Sequence, residues 1–167
     1  MSAYGRKGYE TQSHTPIRYE NLLDEFSTIH PKIEYYIRKT GDVLNHASNV
    51  KASMTNWNSH KDNMHIRKIA EKALFLCQEG MKTKYPLEIA DCWGFTYYVK
   101  VSKNTAPLIF HNLLNPQSKE FENMPVYPKK GDMFIFPSTL RHSVPVQESD
   151  EERIMIAGNI WYNFNSS

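Results

Sequence analysis

The stretch from Gly131 to Asn163, GDMFIFPSTLRHSVPVQESDEERIMIAGNIWYN, constrains the fold more than any other part of the chain. An apolar run, Met133 to Phe136, ends at Pro137-Ser138, a pair that stops a strand and starts a turn. His142 opens the short run HSVPV. An acidic loop, Glu148 to Glu152, separates it from the long run RIMIAGNIWYN. In a strand, successive side chains alternate between faces. Arg153, Met155, Ala157, Asn159 and Trp161 therefore share one face, and Ile154, Ile156, Gly158, Ile160 and Tyr162 share the other. Both faces are largely apolar, which predicts a central strand with Arg153 against a packed layer. A histidine and an arginine on neighbouring strands can address a metal and a carboxylate in one cavity.

The N-terminal half reads differently. Residues 1 to about 18 are polar and carry Gly5, Gly8 and Pro16, as a loose arm or an edge strand would. NLLDEFSTIHPKIEYYIRKTGD predicts a helix in two pieces, with Pro31 in the first turn of the second and Gly41 as its stop. Ser48 to Trp57 alternates and predicts a strand. Asp62 is placed to cap the next helix, where Ile66, Ile69, Ala70, Ala73, Leu74 and Cys77 recur at helical spacing until Gly80. That stripe fits a helix packed on a sheet better than a partner-binding face. From Leu87 onward the chain is strands and turns: LEIADCWGFTYYVKV, APLIFH, MFIFP, HSVPV and RIMIAGNIWYN. Helices first and strands after predict one mainly β domain of the α+β kind, residues 1–167. Within it, residues 1–18 form an arm, 19–82 helices plus a strand, and 87–163 the β core.

The bulk properties exclude several classes of function. A chain of 167 residues can bury a core without staples. A net charge of +2 gives no basic footprint for nucleic acid, and Arg38, Lys39 and Lys51 read as a solvated face. No apolar segment has the length of a membrane span, and the first residues lack an apolar leader. Cys77 and Cys92 make no disulfide framework and read as buried thiols in a reducing, cytoplasmic setting.

For His142 the ordinary reading is a structural histidine, and its place between strand, turn and strand raises a ligand role. For Arg153 the ordinary reading is a surface pair with Asp150 or Glu151. Its position on an apolar strand instead suits a carboxylate, which its planar fork can bind with two hydrogen bonds. Asn159 lies on the same face as a polar partner.

FPSTLRHSVPV followed by EERIMIAGNI resembles the C-terminal signature of the 2-oxoglutarate/Fe(II)-dependent oxygenases, in the prolyl-hydroxylase-like branch common in phages and marine bacteria. VKASMTNW, the amphipathic helix, DCWG, FTYYVKV and PLIF extend the likeness over roughly residues 48 to 163. The resemblance implies a double-stranded β-helix of the jelly-roll or cupin-like kind. It implies that His142 is the distal iron ligand and that Arg153, eleven residues later, binds the far carboxylate of 2-oxoglutarate. Tyr97 or Tyr98 would add a hydrogen bond there. The implied cofactors are Fe(II) and 2-oxoglutarate, with ascorbate as an accompanying reductant. The implied activity is hydroxylation of a peptidyl or small-molecule substrate in the cytoplasm, that of the host if the chain is phage-encoded.

One part of the pattern is missing. An iron site of this class needs two histidines and a carboxylate. The family carries the first two ligands, as His-x-Asp or His-x-His, between its Cys-Trp-Gly element and the Phe-x-Tyr-Tyr strand. Here Gly94 is followed directly by Phe95. A bare His-x-Asp, His60-Lys61-Asp62, starts the helix, in a segment that the family does not use for metal. His111, Asp91 and Asp132 are further candidates without an evident metal partner. The expected barrel is therefore short of one core strand, whose loss would leave neighbouring edges unpaired at a cost on the order of several kcal/mol. Besides the dioxygenase, the pattern fits a non-catalytic module that binds a small molecule or dicarboxylate with an incomplete metal site. A phage scaffold protein is the third reading.

Overall fold

In the computed structural model, which describes residues 8–9, 17–41, 55–56, 58–83, 92–115, 117–146 and 151–161, local sequence signals set most helix limits. Helix α1 (Leu23–Phe26) runs through a short 3-10 turn (Ser27–Ile29) into α2 (His30–Thr40). Pro31 lies in the first turn of α2, and the Gly41 N–H closes it on the Ile37 carbonyl at 2.7 Å. After α3 (Ser59–Asp62), α4 spans Met64–Thr83. The expected cap, Asp62, is displaced by Asn63, whose Oδ1 accepts from the N–H groups of His65 and Ile66 at 2.9 and 3.1 Å. Gly80 lies inside the helix. Ile66, Ile69, Ala73, Leu76 and Cys77 are buried, whereas Leu74 is 38% exposed. The buried set keeps the i, i+3, i+4, i+7 spacing, and Leu74 falls outside that arc.

The strands form two antiparallel sheets. Strands β1 (Gly8–Tyr9), β2 (Arg18–Asn21), β6 (Asp132–Pro137), β3 (Cys92–Lys100) and β8 (Ile154–Trp161) lie side by side in the order β1-β2-β6-β3-β8. The smaller sheet has the order β5-β4-β7, from β4 (Leu108–Leu114), β5 (Phe121–Val126) and β7 (His142–Ser143). Alternation sorts the side chains of the large sheet. Trp93, Phe95, Tyr97, Met133, Ile135, Ile154, Ile156 and Ile160 pack with the helices. Tyr98, Phe134 and Phe136 face the small sheet and pack with Leu108, Phe110, Leu113, Met124 and Val126. The result is three layers: helices, the five-stranded sheet, the three-stranded sheet. The expected strand at 48–57 and part of the acidic loop, 147–150, lie outside the described residues.

This architecture corrects the expected double-stranded β-helix. Among the described residues no ladder joins the two sheets, so both stay open and no jelly-roll or cupin-like barrel closes. The fold is mixed α/β, two open sheets with helices on one side. Closing a sheet requires its outer strands to pair with each other. Here β8 pairs with β3 and β7 with β4, each along one side. Among the described residues the final strand is thus an edge strand, not the central one predicted from its apolar faces. On its second face the small sheet covers only the Met155 end, and Ala157, Asn159 and Trp161 are exposed.

At Gly94, after which the resemblance places the first two metal ligands, the strand runs on without a break. Gly94 and Phe95 are consecutive residues of an uninterrupted β3, with Phe136 and Ile135 opposite them on β6 and Asn159 and Gly158 opposite them on β8. No neighbouring edge is bared at this point. Gly94 admits the Phe136 ring: a Cβ there would stand 2.9 Å from Phe136 Cε2. Cys77 and Cys92 are both buried.

Candidate functional site

The cleft between the sheets is flanked by four of the residues singled out in the sequence, Tyr98, Arg153 and Asn159 from the large sheet and His142 from the small one. Its floor is the face of the large sheet that carries Gly94, Thr96 and Tyr98 from β3, and Met155, Ala157 and Asn159 from β8. Ala157 and Asn159 are exposed, and Met155 is half-buried, so the small sheet leaves the β8 side of this face open.

His142 stands on the opposite wall. Ser138 fixes the preceding turn, since its N–H and hydroxyl both donate to the Cys92 carbonyl, at 3.0 and 2.9 Å. His142 then pairs in register with Phe110, and its ring meets Phe136 edge-on at 4.8 Å. Its Nδ1 is 2.8 Å from the Leu140 carbonyl. A carbonyl only accepts, so Nδ1 carries the proton and Nε2 is left as the outward nitrogen.

Arg153 immediately precedes β8 and is half-buried. Its Nη1 donates to the Ala106 carbonyl at 3.4 Å, a long contact for a guanidinium. Its charge reaches Tyr98. Burial pushes the Tyr98 hydroxyl up to about 12, and the Arg153 charge and the neighbouring Thr96 hydroxyl pull the other way. The Tyr98 hydroxyl and Thr96 Oγ1 are both buried, and among the described residues neither makes a well-formed hydrogen bond. Asn159 lies six residues beyond Arg153 on the same face, about 20 Å along the strand, so one small ligand cannot touch both. The named residues thus divide into Arg153 with Tyr98 at one end and Asn159 with His142 at the other.

Tyr97 lies on the helix side of β3. Its hydroxyl is 2.6 Å from His30 Nε2, and burial, then Glu25 and Asp132, raise its pKa. Burial pushes His30 down to about 4, with Lys130 adding to the shift. His30 carried no signal in the sequence, because a histidine just before a helix proline resembles any other helix-start residue.

The remaining candidates are dispersed. His60 and Asp62 sit in α3, where the His60 carbonyl accepts from Arg67 Nε at 3.1 Å. Asp132 is a buried turn carboxylate that accepts from Tyr19, Asn21 and the Lys129 N–H at 3.1, 2.7 and 2.7 Å. His111 lies on β4, bonded to Asn123 and Ser143. Asp91 lies outside the described residues.

An iron ion of the 2-His-1-carboxylate kind requires three such ligands converging on one point. Among the described residues no group of three or more His, Cys, Asp or Glu side chains is placed to hold a metal ion. His142 has the geometry of a ligand, with its second nitrogen anchored on a carbonyl, but among the described residues it stands without the other two. The expected Fe(II), the 2-oxoglutarate chelated to it and the accompanying ascorbate are corrected on this ground, and with them the expectation of an iron dioxygenase.

No helix among the described residues is long and apolar enough to cross a membrane. No curated protein and no solved structure matches the chain. Residues 90–159, from the start of β3 to near the end of β8, match the family described as putative 2OG-Fe(II) oxygenase. The chain is therefore similar to that family over its strand-rich part, in the stretch that holds His142 and Arg153.

Proposed function

We propose that the cleft is a non-catalytic binding site for a small dicarboxylate, built on an oxygenase-like segment whose metal site is incomplete. The observation that carries this reading is the pair of buried hydroxyls on Thr96 and Tyr98, without well-formed partners among the described residues, on the floor near Arg153. A buried hydroxyl left unpaired costs about 1–3 kcal/mol, so such groups are retained where a ligand or water completes them. Arg153 supplies the charge and the planar fork for one carboxylate, and Tyr98 donates to it from the floor. Thr96 lies farther along the cleft, toward Gly94 and His142, where the rest of a four- or five-carbon ligand would extend. The open face at Ala157 and Asn159 provides entry.

Isothermal titration with succinate and glutarate tests the reading. Wild-type protein binds one of them, Arg153→Leu loses at least tenfold in affinity, and Tyr98→Phe loses less. Equal affinity in wild type and Arg153→Leu overturns the assignment.

A further inference from the structure

A second polar constellation lies on the outer face of the small sheet. Phe110, Met124 and His142 point inward, so alternation turns His111, Asn123 and Ser143 outward. Ladder register alone does not gather these three. Between Phe110 and Leu113 the β4–β5 register shifts by one residue, with Phe110 opposite Met124 and Leu113 opposite Glu122. His111 and Asn112 thus both face Asn123. Asn112 takes a left-handed backbone, φ 56°, to do so. A bulge of this kind re-aims a side chain and is frequent beside active sites.

The hydrogen bonds then assign the protons. The Asn112 N–H can only donate, and it lies 3.3 Å from Asn123 Oδ1, so that atom is the acceptor. The same oxygen lies 3.2 Å from His111 Nδ1, which must therefore carry the ring proton of the neutral imidazole. His111 Nε2 is left with a lone pair, and Ser143 Oγ is 2.7 Å from it, donating its hydroxyl proton. Nucleophile, base and orienting amide stand in series, the arrangement by which a serine hydroxyl is activated. Ser143 and Asn123 are exposed and His111 is half-buried, so the nucleophile is open to solvent. Among the described residues β7 is an outer strand of its sheet, and the outward N–H groups of an edge strand are free of ladder bonds and can donate to a developing oxyanion.

We propose that Ser143 is a nucleophilic serine, with His111 as general base and Asn123 as its positioning residue, acting on small esters at the outer face of the three-stranded sheet. In the first step Ser143 Oγ bonds to the ester carbonyl carbon and its proton passes to His111 Nε2. The bond from that carbon to the leaving oxygen breaks, and the proton goes to the departing alcohol. In the second step water attacks the acyl-serine, His111 takes a proton from the water, and the carbon–Oγ bond breaks. Ser143 recovers its proton, and the net reaction is ester plus water to acid plus alcohol. An open surface without a deep acyl pocket favours short acyl groups.

The test is incubation of the full chain with p-nitrophenyl acetate, followed by peptide mass mapping. Acetylation maps to Ser143, whether the acetyl group persists or turns over to acetate, and p-nitrophenol is released in step. Ser143→Ala loses this labelling, His111→Gln slows it by about a hundredfold, and Asn123→Ala slows it less. Ser143→Cys keeps an acyl acceptor at the position. All four side-chain changes fall on an accessible face, so each variant's urea midpoint checks that the fold is kept. Release of p-nitrophenol that is as fast in Ser143→Ala or in His111→Gln as in the wild type, or no release at all, overturns the proposal. The cleft and its Arg153 are not used, so this result is independent of dicarboxylate binding.

Discussion

Tyr97 and Tyr98 are chain neighbours with opposite environments. The Tyr97 hydroxyl meets His30 Nε2 at 2.6 Å on the helix side of β3, and the Tyr98 hydroxyl is buried on the cleft side without a well-formed partner among the described residues. Removing the first oxygen strands a buried imidazole, and removing the second relieves an unpaired group. Tyr97→Phe is expected to lower stability by about 1–3 kcal/mol, and Tyr98→Phe to leave it unchanged or raise it slightly. Urea denaturation of the two variants checks the contrast.

His30 makes folding pH-dependent. The unfolded chain takes up this proton near 6.5, whereas the folded chain takes it up only near 4. Between those values the unfolded state binds the extra proton, so stability is full above 6.5 and falls as pH drops toward 4. The span corresponds to as much as about 3 kcal/mol. Urea midpoints of wild type and His30→Phe at about pH 7.5 and about pH 5 measure it, and the variant is expected to show the flatter profile.

Gly131 joins the β6 turn to the start of α1. Its φ is +87°, and a Cβ there would stand 2.6 Å from Leu23 Cβ and 2.7 Å from the Leu23 backbone nitrogen. Its carbonyl also accepts the Leu22 N–H at 2.8 Å. Backbone cannot swing aside as a side-chain tip can, so Gly131→Ala is expected to cost about 2–3 kcal/mol. Thermal and urea denaturation check this.

Gly94 sets the seat of His142. Gly94→Ala would push on Phe136, against whose ring His142 packs at 4.8 Å. The His142 ring proton resonances are expected to shift on this substitution, with stability reduced by about 1–3 kcal/mol. Two-dimensional NMR of the histidine rings follows the first effect, and denaturation the second.

Local signals in the sequence account for the helices and for several strand limits. Pro31 and Gly41 mark the ends of α2, and the Ile66–Ile69–Ala73–Cys77 spacing marks the packed side of α4. The run from Met133 to Phe136 and the alternation of Ile154, Ile156 and Ile160 give β6 and β8. What stayed illegible depends on pairing between distant segments. Whether β8 is an edge or closes a barrel is decided by its neighbours, and the apolar Met155 face has the same composition either way. Parity put Tyr97 and Tyr98 on opposite faces but did not say which face meets the helices. The meeting of His111, Asn123 and Ser143 depends on a one-residue bulge at Asn112, and asparagine in a strand carries no unique bulge signal.

The central claim is that the cleft binds a dicarboxylate through Arg153 and needs no metal. Titration of chelator-treated protein with succinate and glutarate, with and without added Mn(II), tests it most directly. The account predicts saturable binding of at least one of the two, with the same affinity in both conditions. Binding that appears only when Mn(II) is added, or no binding in either, would contradict it.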